Sequence, residues 1–256
     1  MPRVIGYSLK KADGVQALKV AAITELADSP TAVARVAELV VLAVPPQPTL
    51  DLLALLANQP PSAAILSDVC SVKAPIVKQA LASGVGDRFV GGHPLAGTHE
   101  TGFAAARPDR FRGCVVYICE TGSPGGHRAA AVVADFWENV LEAAPVRIEP
   151  EAHDRQLAWT SHLPQAIAYV LAKALSAQGL GGVSFGSGAK DTMRLAASSP
   201  DLWVDVFRQN ATPLIGALER LGQEAAELRR LLSAGDAEGL RQYLEAARSF
   251  RQGIER

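Results

Sequence analysis

Short apolar runs alternate with helix-spaced segments along the first part of the chain. Residues 3–7 (Arg-Val-Ile-Gly-Tyr) read as a short buried strand, 11–20 as a short helix, 20–23 as a brief extended stretch and 30–37 as a turn or two of helix. Leu39 to Val44 is an unbroken apolar run halted by Pro45-Pro46, which suits a central parallel strand covered on both faces. The alternation continues with a helix over 48–58, a strand over 64–69, a helix over 75–81 and a strand at Phe89-Val90-Gly91-Gly92. A strand over 114–119 and a helix over 124–141 complete it. This order predicts a parallel sheet with right-handed crossovers.

After about residue 150 the strand signal ends. Helices are predicted over 152–178 and 188–197. Ser199-Pro200-Asp201 starts another, with a capping Ser before a first-turn Pro, and Thr212-Pro213 starts the next. That helix carries Leu214, Leu218, Leu221, Ala225, Leu228 and Leu232 on one stripe. Gly235-Asp236 stops it and caps the last helix, where Leu240, Leu244, Ala247 and Ile254 line one side. The expected fold is an α/β, Rossmann-like parallel sheet domain over 1–148 followed by an all-α domain over 149–256. The two apolar stripes exceed what one small helical domain needs to bury, so a homodimer through the last two helices is expected.

Composition narrows the function classes. A 256-residue chain, 48% hydrophobic and 20% charged, fits a folded globular protein. A net charge of −1 gives no basic footprint for nucleic acid or an anionic membrane surface. The N-terminal stretch lacks a signal-peptide apolar region, and no apolar run is long enough to span a bilayer. Cys70, Cys114 and Cys119 are odd in number and lack CxxC spacing. They read as reduced thiols of a cytoplasmic protein and not as a disulfide framework or metal site. Cys70 beside Ser71 leaves a reactive thiol as the lesser alternative to a packing residue.

Candidate chemistry concentrates at Gly91-Gly92-His93-Pro94-Leu95-Ala96-Gly97-Thr98. A histidine on a rigid turn just past a strand suits proton transfer, and loops at the carboxyl ends of strands are where α/β proteins place ligands. A hydrogen-bonded turn histidine is the bland alternative. A Gly-x-Gly-x-x-Gly phosphate loop is not found between a strand and a helix, and Gly186-Ser187-Gly188 lies in the helical half. The chain reads as beginning at what would be the second strand of a dinucleotide fold, with its start misplaced or the chain truncated. In such a fold that strand ends at the adenosine ribose. Tyr7-Ser8-Leu9-Lys10-Lys11 stands there without a carboxylate, and Ser8 with Lys10 would admit a 2′-phosphate, favouring NADP over NAD. A solvated lysine pair is the alternative.

Several stretches together resemble the prephenate/arogenate dehydrogenase family of tyrosine biosynthesis. They are Val41 to Pro45, Asp68 to Lys73, Gly91 to Thr98, His153-Asp154, Ser161-His162-Leu163-Pro164, Lys190 to Ala196 and Phe207-Arg208-Gln209-Asn210. The resemblance implies a nucleotide-binding domain, a helical dimerising domain and oxidative decarboxylation of prephenate or arogenate with NAD(P). It implies that His93 takes the proton of the ring hydroxyl, that Ser71 lies near that histidine and the nicotinamide, and that Arg194 binds a substrate carboxylate. By the same resemblance His162, Gln165 and Thr98 face the substrate, and Val44, Pro45 and Asp68 join Ser8 and Lys10 on the cofactor side. An ion pair with Asp191 for Arg194, a helix cap for Ser71, and core or dimer packing for Trp203 are the plain alternatives. His153-Asp154 reads first as a helix-start pair.

Two departures stand out. His99 replaces a common Glu, and Gln165 replaces a second histidine frequent among prephenate users, which tilts the substrate toward arogenate. The competing readings are a β-hydroxyacid or pyrroline-carboxylate reductase type and a cofactor-less remnant that binds substrate or forms dimers.

Overall fold

The computed structural model describes residues 3–59, 63–97, 102–180 and 183–254. Its strands are β1 (Ile5–Gly6), β2 (Glu25–Leu26), β3 (Leu39–Leu42), β4 (Ile65–Asp68), β5 (Phe89–Pro94), β6 (Val115–Cys119) and β7 (Ala144–Arg147). β1 and β2 form a two-stranded parallel sheet, and β3-β4-β5-β6-β7 form a second sheet in that order. Among the described residues no strand joins β1 to β3. The helices α1 (Lys11–Lys19), α2 (Pro30–Val36), α3 (Pro46–Ala57), α4 (Ala74–Ala82) and α5 (Pro124–Asp135) alternate with the strands. α6 (Pro150–Leu157), α7 (Leu163–Ala177), α8 (Ser187–Met193), α9 (Pro200–Gln209), α10 (Ala211–Ala234) and α11 (Ala237–Ile254) follow.

The expected α/β order is present, in a sheet that is parallel except at one junction. β5 and β6 pair antiparallel, setting His93 opposite Tyr117. Strand direction is a property of the connection and leaves no mark on a single apolar run. β7 was not expected: Ala144-Pro145-Val146-Arg147 is a short, mostly exposed edge strand that contains a proline and has no apolar-polar alternation. The extended stretch expected at 20–23 is instead the end of α1. Val20 and Ala22 donate back to Gln16 and Ala17, Ala21 takes φ 56°, and the strand itself comes later, at Glu25. The helix expected over 124–141 ends in a π turn at Phe136–Val140. That expected over 152–178 is α6 and α7 with a π turn, Ala158–His162, between them.

Period-two alternation gives the large sheet two packed faces. Val40, Leu42, Leu66 and Phe89 join Leu53, Leu56, Ile76, Val77 and Val206 on one side. Val90, Val116 and Ile118 join Ala129, Ala130, Val133 and Trp137 on the other.

Residues up to Asn210 form one compact unit and Ala211 onward a second. The expected division at 148/149 falls inside the first, where α6 and α9 pack against the sheet region: Asp154 bonds the start of α4, and the Asp205 carboxylate accepts from Gln47 N at 2.7 Å. In the second unit the expected stripe on α10 is buried at Leu214 and partly buried at Leu221 and Leu228. Ala217 and Leu231 are buried while Leu218 and Leu232 are exposed.

β5 approaches β4 closely at Gly92, where a Cβ would lie 2.6 Å from the Asp68 carbonyl oxygen. Gly92→Ala is expected to destabilise the fold by about 1–3 kcal/mol by overpacking. A lowered urea midpoint with an unchanged slope would show it.

Candidate active site

The carboxyl ends of β4 and β5 are joined by a buried charge pair. Asp68 and Lys73 are both fully buried; the Lys73 ammonium donates to the Asp68 carboxylate and, at 2.7 Å, to the Gly92 carbonyl. The same carboxylate accepts from Cys70 N at 2.9 Å and Gly92 N at 3.1 Å. The ammonium has two acceptors and the carboxylate three donors, which is the kind of compensation that keeping two charges out of water demands. This fixes the backbone immediately before His93.

His93 lies 8% exposed at the end of β5, and its Nδ1 is 2.8 Å from Nε2 of His153. Nδ1 of His153 is 2.8 Å from Oδ1 of Asp154. The Asp154 carboxylate also accepts from Lys73 N at 2.7 Å and Ala74 N at 2.8 Å, capping the start of α4 from another helix. The His153 ring packs edge-on between those of His93 and Tyr117. Burial holds His93 well below the usual histidine range, with the charges of His153, Lys73 and His162 adding to the effect. Burial also lowers His153, against an opposing pull from Asp154. Both imidazoles are therefore neutral at neutral pH. A carboxylate accepts from Nδ1–H of His153, so Nε2 of His153 accepts from Nδ1–H of His93. Nε2 of His93 is left as the acceptor, the form a general base requires.

His162, fully buried at the end of its π turn, accepts at Nδ1 from Asn210 Nδ2 at 2.9 Å, and the other amide hydrogen of Asn210 goes to the Asp154 carbonyl at 2.8 Å. Its proton therefore sits on Nε2, which has no hydrogen-bond partner among the described residues. Burial lowers this histidine to about 4, with Asp154 and the Ser71 backbone opposing. Trp203 packs edge-on against its ring. Gln165, one helical turn on, donates through Nε2 to Leu195 O at 2.7 Å, so it steadies the short turn Arg194–Ala197. Arg194 is exposed on that turn and forms no ion pair with Asp191 among the described residues. Ser71 is half-buried and does not cap α4; Asp154 does.

On the cofactor side, Ser8 accepts from Lys10 N at 3.2 Å, and Lys10 and Pro45 are exposed with Val44 half-buried. These residues follow β1 and β3, where a crevice outside a parallel sheet binds nucleotides. Ser8 and Lys10 present a hydroxyl and an ammonium there without a carboxylate, and among the described residues no glycine cradle for a pyrophosphate lies beside them. Asp68 does not fit the cofactor role expected of it, because burial and the bonds to Lys73, Cys70 and Gly92 consume its oxygens. Thr98 and His99 lie outside the described residues. The Cys70 thiol is no nucleophile: burial pushes it up to about 12, and it donates to Val44 O. No cluster that could hold a metal occurs among the described residues.

Sequence reasoning missed Lys73 and Asn210 and misjudged His153-Asp154. Lysine is the residue least expected in a core, and a His-Asp pair near a helix start looks like ordinary capping. The signal available was the presence of these residues inside the quoted motifs, at which the burial could not be seen.

The chain matches the model for the prephenate dehydrogenase nucleotide-binding domain over residues 2–144 and that for the prephenate dehydrogenase dimerization domain over 149–246. It is 30% identical over 269 residues to a prephenate dehydrogenase of Bacillus subtilis, covering 98% of this chain and 69% of that protein. It is 30% identical over 228 residues to a cyclohexadienyl dehydrogenase of Zymomonas mobilis, covering 86% and 76%. Among solved structures, prephenate dehydrogenase from Aquifex aeolicus in complex with hydroxyphenyl propionate and NAD+ superposes with a TM-score of 0.90 at 26% identity, over 99% of this chain and 90% of that one. Synechocystis arogenate dehydrogenase superposes with a TM-score of 0.79 at 26% identity, over 98% and 91%.

Three of the five histidines are held neutral by burial, so acid acts on the unfolded chain first. The unfolded state takes up protons as pH drops through 6.5, whereas folded His162 waits until about 4. Stability is expected to be full above pH 6.5 and to fall between there and about 4, by on the order of 3 kcal/mol from His162 alone. Urea midpoints at pH 7.5 and 5.0 measure the drop, and His162→Asn should make it shallower.

Proposed function

The chain belongs to the prephenate dehydrogenase family, and on that premise we propose that it oxidatively decarboxylates a cyclohexadienol, prephenate or arogenate, with His93 as the base. The observation that carries this reading is the acceptor state of His93 Nε2, fixed through His153 by Asp154. The 4-hydroxyl proton passes to Nε2 as hydride leaves C4. The C1–carboxylate bond then breaks, its electron pair enters the ring as CO2 departs, and the C4 oxygen regains a proton as a phenol. A bound nicotinamide supplies the hydride acceptor. Because aromatisation drives the reaction, the protein's work is orientation and one proton transfer.

In this reading Ser71 and the Nε2–H of His162 meet the substrate, and Arg194 pairs with a carboxylate through its planar fork. Thr98 belongs to the same group by its place in the motif. Gln165 acts on the substrate through its carbonyl end and through the Arg194 turn. Its lack of positive charge favours the amino-acid side chain of arogenate. Ser8 and Lys10, without a carboxylate beside them, favour NADP, with Val44 and Pro45 against the nucleotide. The functional division lies at 148/149, and the reduced state of the cysteines suits the cytoplasm.

Steady-state kinetics with each substrate and each dinucleotide test the assignment. Turnover highest with arogenate and NADP, and lowered about 10²–10⁴-fold in His93→Gln with dinucleotide binding retained, is the expected result. No turnover with any of the four pairs would defeat it in favour of the remnant, and a clear prephenate preference would defeat the Gln165 argument.

We also propose a homodimer through the last two helices. α11 buries none of its residues, yet Leu244, Phe250 and Ile254 are 54%, 75% and 64% exposed. Light scattering after size-exclusion chromatography should give a dimer that Leu244→Glu with Phe250→Glu converts to monomer. A wild-type monomer at all concentrations would refute it.

A further inference from the structure

Asp154 reaches both His93 and His162 through one intervening side chain each, by different atoms and with opposite effect. Its side-chain Oδ1 receives His153 Nδ1–H, and His153 in turn receives Nδ1–H of His93. Its backbone carbonyl receives one hydrogen of the Asn210 amide, whose other hydrogen goes to Nδ1 of His162. Since a carbonyl can only accept, the Asn210 nitrogen must face it, and the amide is not free to flip.

We propose that Asp154 is a positioning residue that assigns opposite polarity to the two imidazoles: a lone pair on Nε2 of His93 and a proton on Nε2 of His162. His153 and Asn210 are the arms through which it acts. The inference rests on the reading of His93 as the base and explains how one buried site can hold a neutral acceptor and a neutral donor together. A histidine's tautomer is set by the bond its other nitrogen makes, and here both of those bonds lead to one residue. Both oxygens of the same carboxylate accept from backbone amides at the start of α4, Oδ1 from Lys73 and Oδ2 from Ala74, an arrangement in which it accepts from His153 and does not donate to it. When His93 takes up the substrate proton, its Nδ1–H already points at a neutral acceptor backed by a carboxylate. The positive charge is then stabilised without any group having to turn.

Asp154→Asn places an amide where the carboxylate was. If its nitrogen faces His153, it donates to Nδ1, the proton of that ring moves to Nε2, and His93 must accept at Nδ1 and carry its proton on Nε2. The lone pair needed for chemistry is then lost while the fold around it persists.

The test is two-bond nitrogen–proton correlation spectroscopy on histidine-labelled protein at pH 7.5, where the tautomers are read without reference to activity. Wild type should show Nδ1–H for His93 and His153 and Nε2–H for His162. Asp154→Asn should move the His93 proton to Nε2 and lower kcat by about 10²–10⁴-fold, with little change in KM for the dinucleotide. His153→Gln, whose amide can both accept from His93 and donate to Asp154, should retain at least tenfold more activity than His153→Phe. The His153 pair reports even if Asp154→Asn does not fold. Wild-type His93 protonated on Nε2 overturns the proposal. So does a His93 tautomer unmoved in His153→Phe, or equal activity in the two His153 variants. A correct wild-type tautomer pattern in a protein that turns over none of the substrates would instead overturn the dehydrogenase reading and leave the tautomer assignment intact.

Discussion

One carboxylate holds the site together. Asp154 comes from α6, yet it caps α4, and the first amide it accepts from belongs to Lys73. Lys73 then reaches with its ammonium to Asp68 on β4 and to the Gly92 carbonyl on β5. Two strands, the start of one helix and the start of another are thereby tied through two residues. Burying these groups is costly, and removing one partner of such a pair typically costs about 3–5 kcal/mol because the other is left uncompensated. The arrangement persists because both oxygens of each carboxylate accept hydrogen bonds and the Lys73 ammonium donates to two acceptors, so losing one member leaves others uncompensated.

The sheet makes that network possible. β4 and β5 run parallel, so Asp68 and His93 emerge at the same edge, while antiparallel β6 returns and sets Tyr117 across from His93. Tyr117 then packs edge-on against His153, and its hydroxyl accepts from Gln156 Nε2 on α6. A one-residue slip of β6 would turn Tyr117 to the opposite face and remove a wall from the relay. Gly91 and Gly92 permit the approach: at Gly91 a Cβ would press on Cys119 and on the stem of Lys73.

Much of this was legible in the sequence. The continuous run Leu39 to Val44 and the spacing of the following runs gave the alternating architecture. The motif around His93 pointed to the buried histidine cluster that the proposed function rests on. Burial was not legible where it contradicted habit. Lys73 reads as a solvated lysine at a helix start, and only the proximity of Asp68, five residues earlier in sequence, allows it to be fully buried. Asp68 reads as a cofactor-side residue because its partners Lys73, Cys70 and Gly92 are not visible in the sequence. The π turn at Ala158–His162 carries no sequence mark of its own, yet it sets the direction of His162 relative to Asn210. β7 and the antiparallel junction escaped for a related reason: local pattern encodes whether a segment is extended, not which neighbour it finds.

The two sides of the crevice obey different physics. The residues proposed to move the proton and orient the ring sit in a network with almost no solvent. There a misplaced charge is expensive, and each side chain's protonation is dictated by its neighbour. Ser8, Lys10 and Pro45, by contrast, are exposed or half-exposed on loops after β1 and β3, and their hydrogen bonds among the described residues are local: Lys10 N to Ser8, Asp13 N to the Lys10 carbonyl and Thr49 to the Pro45 carbonyl. Exposed charges are screened and weakly coupled to the rest of the molecule. On the proposed assignment, substitutions at these residues alter dinucleotide selectivity with little effect on His93. The choice of substrate side chain is different, because Gln165 shares its amide with the turn that carries Arg194. Under the proposed roles of Arg194 and Gln165, a change at Gln165 moves both groups together, so substrate preference and substrate affinity are coupled in a way that cofactor preference and chemistry are not.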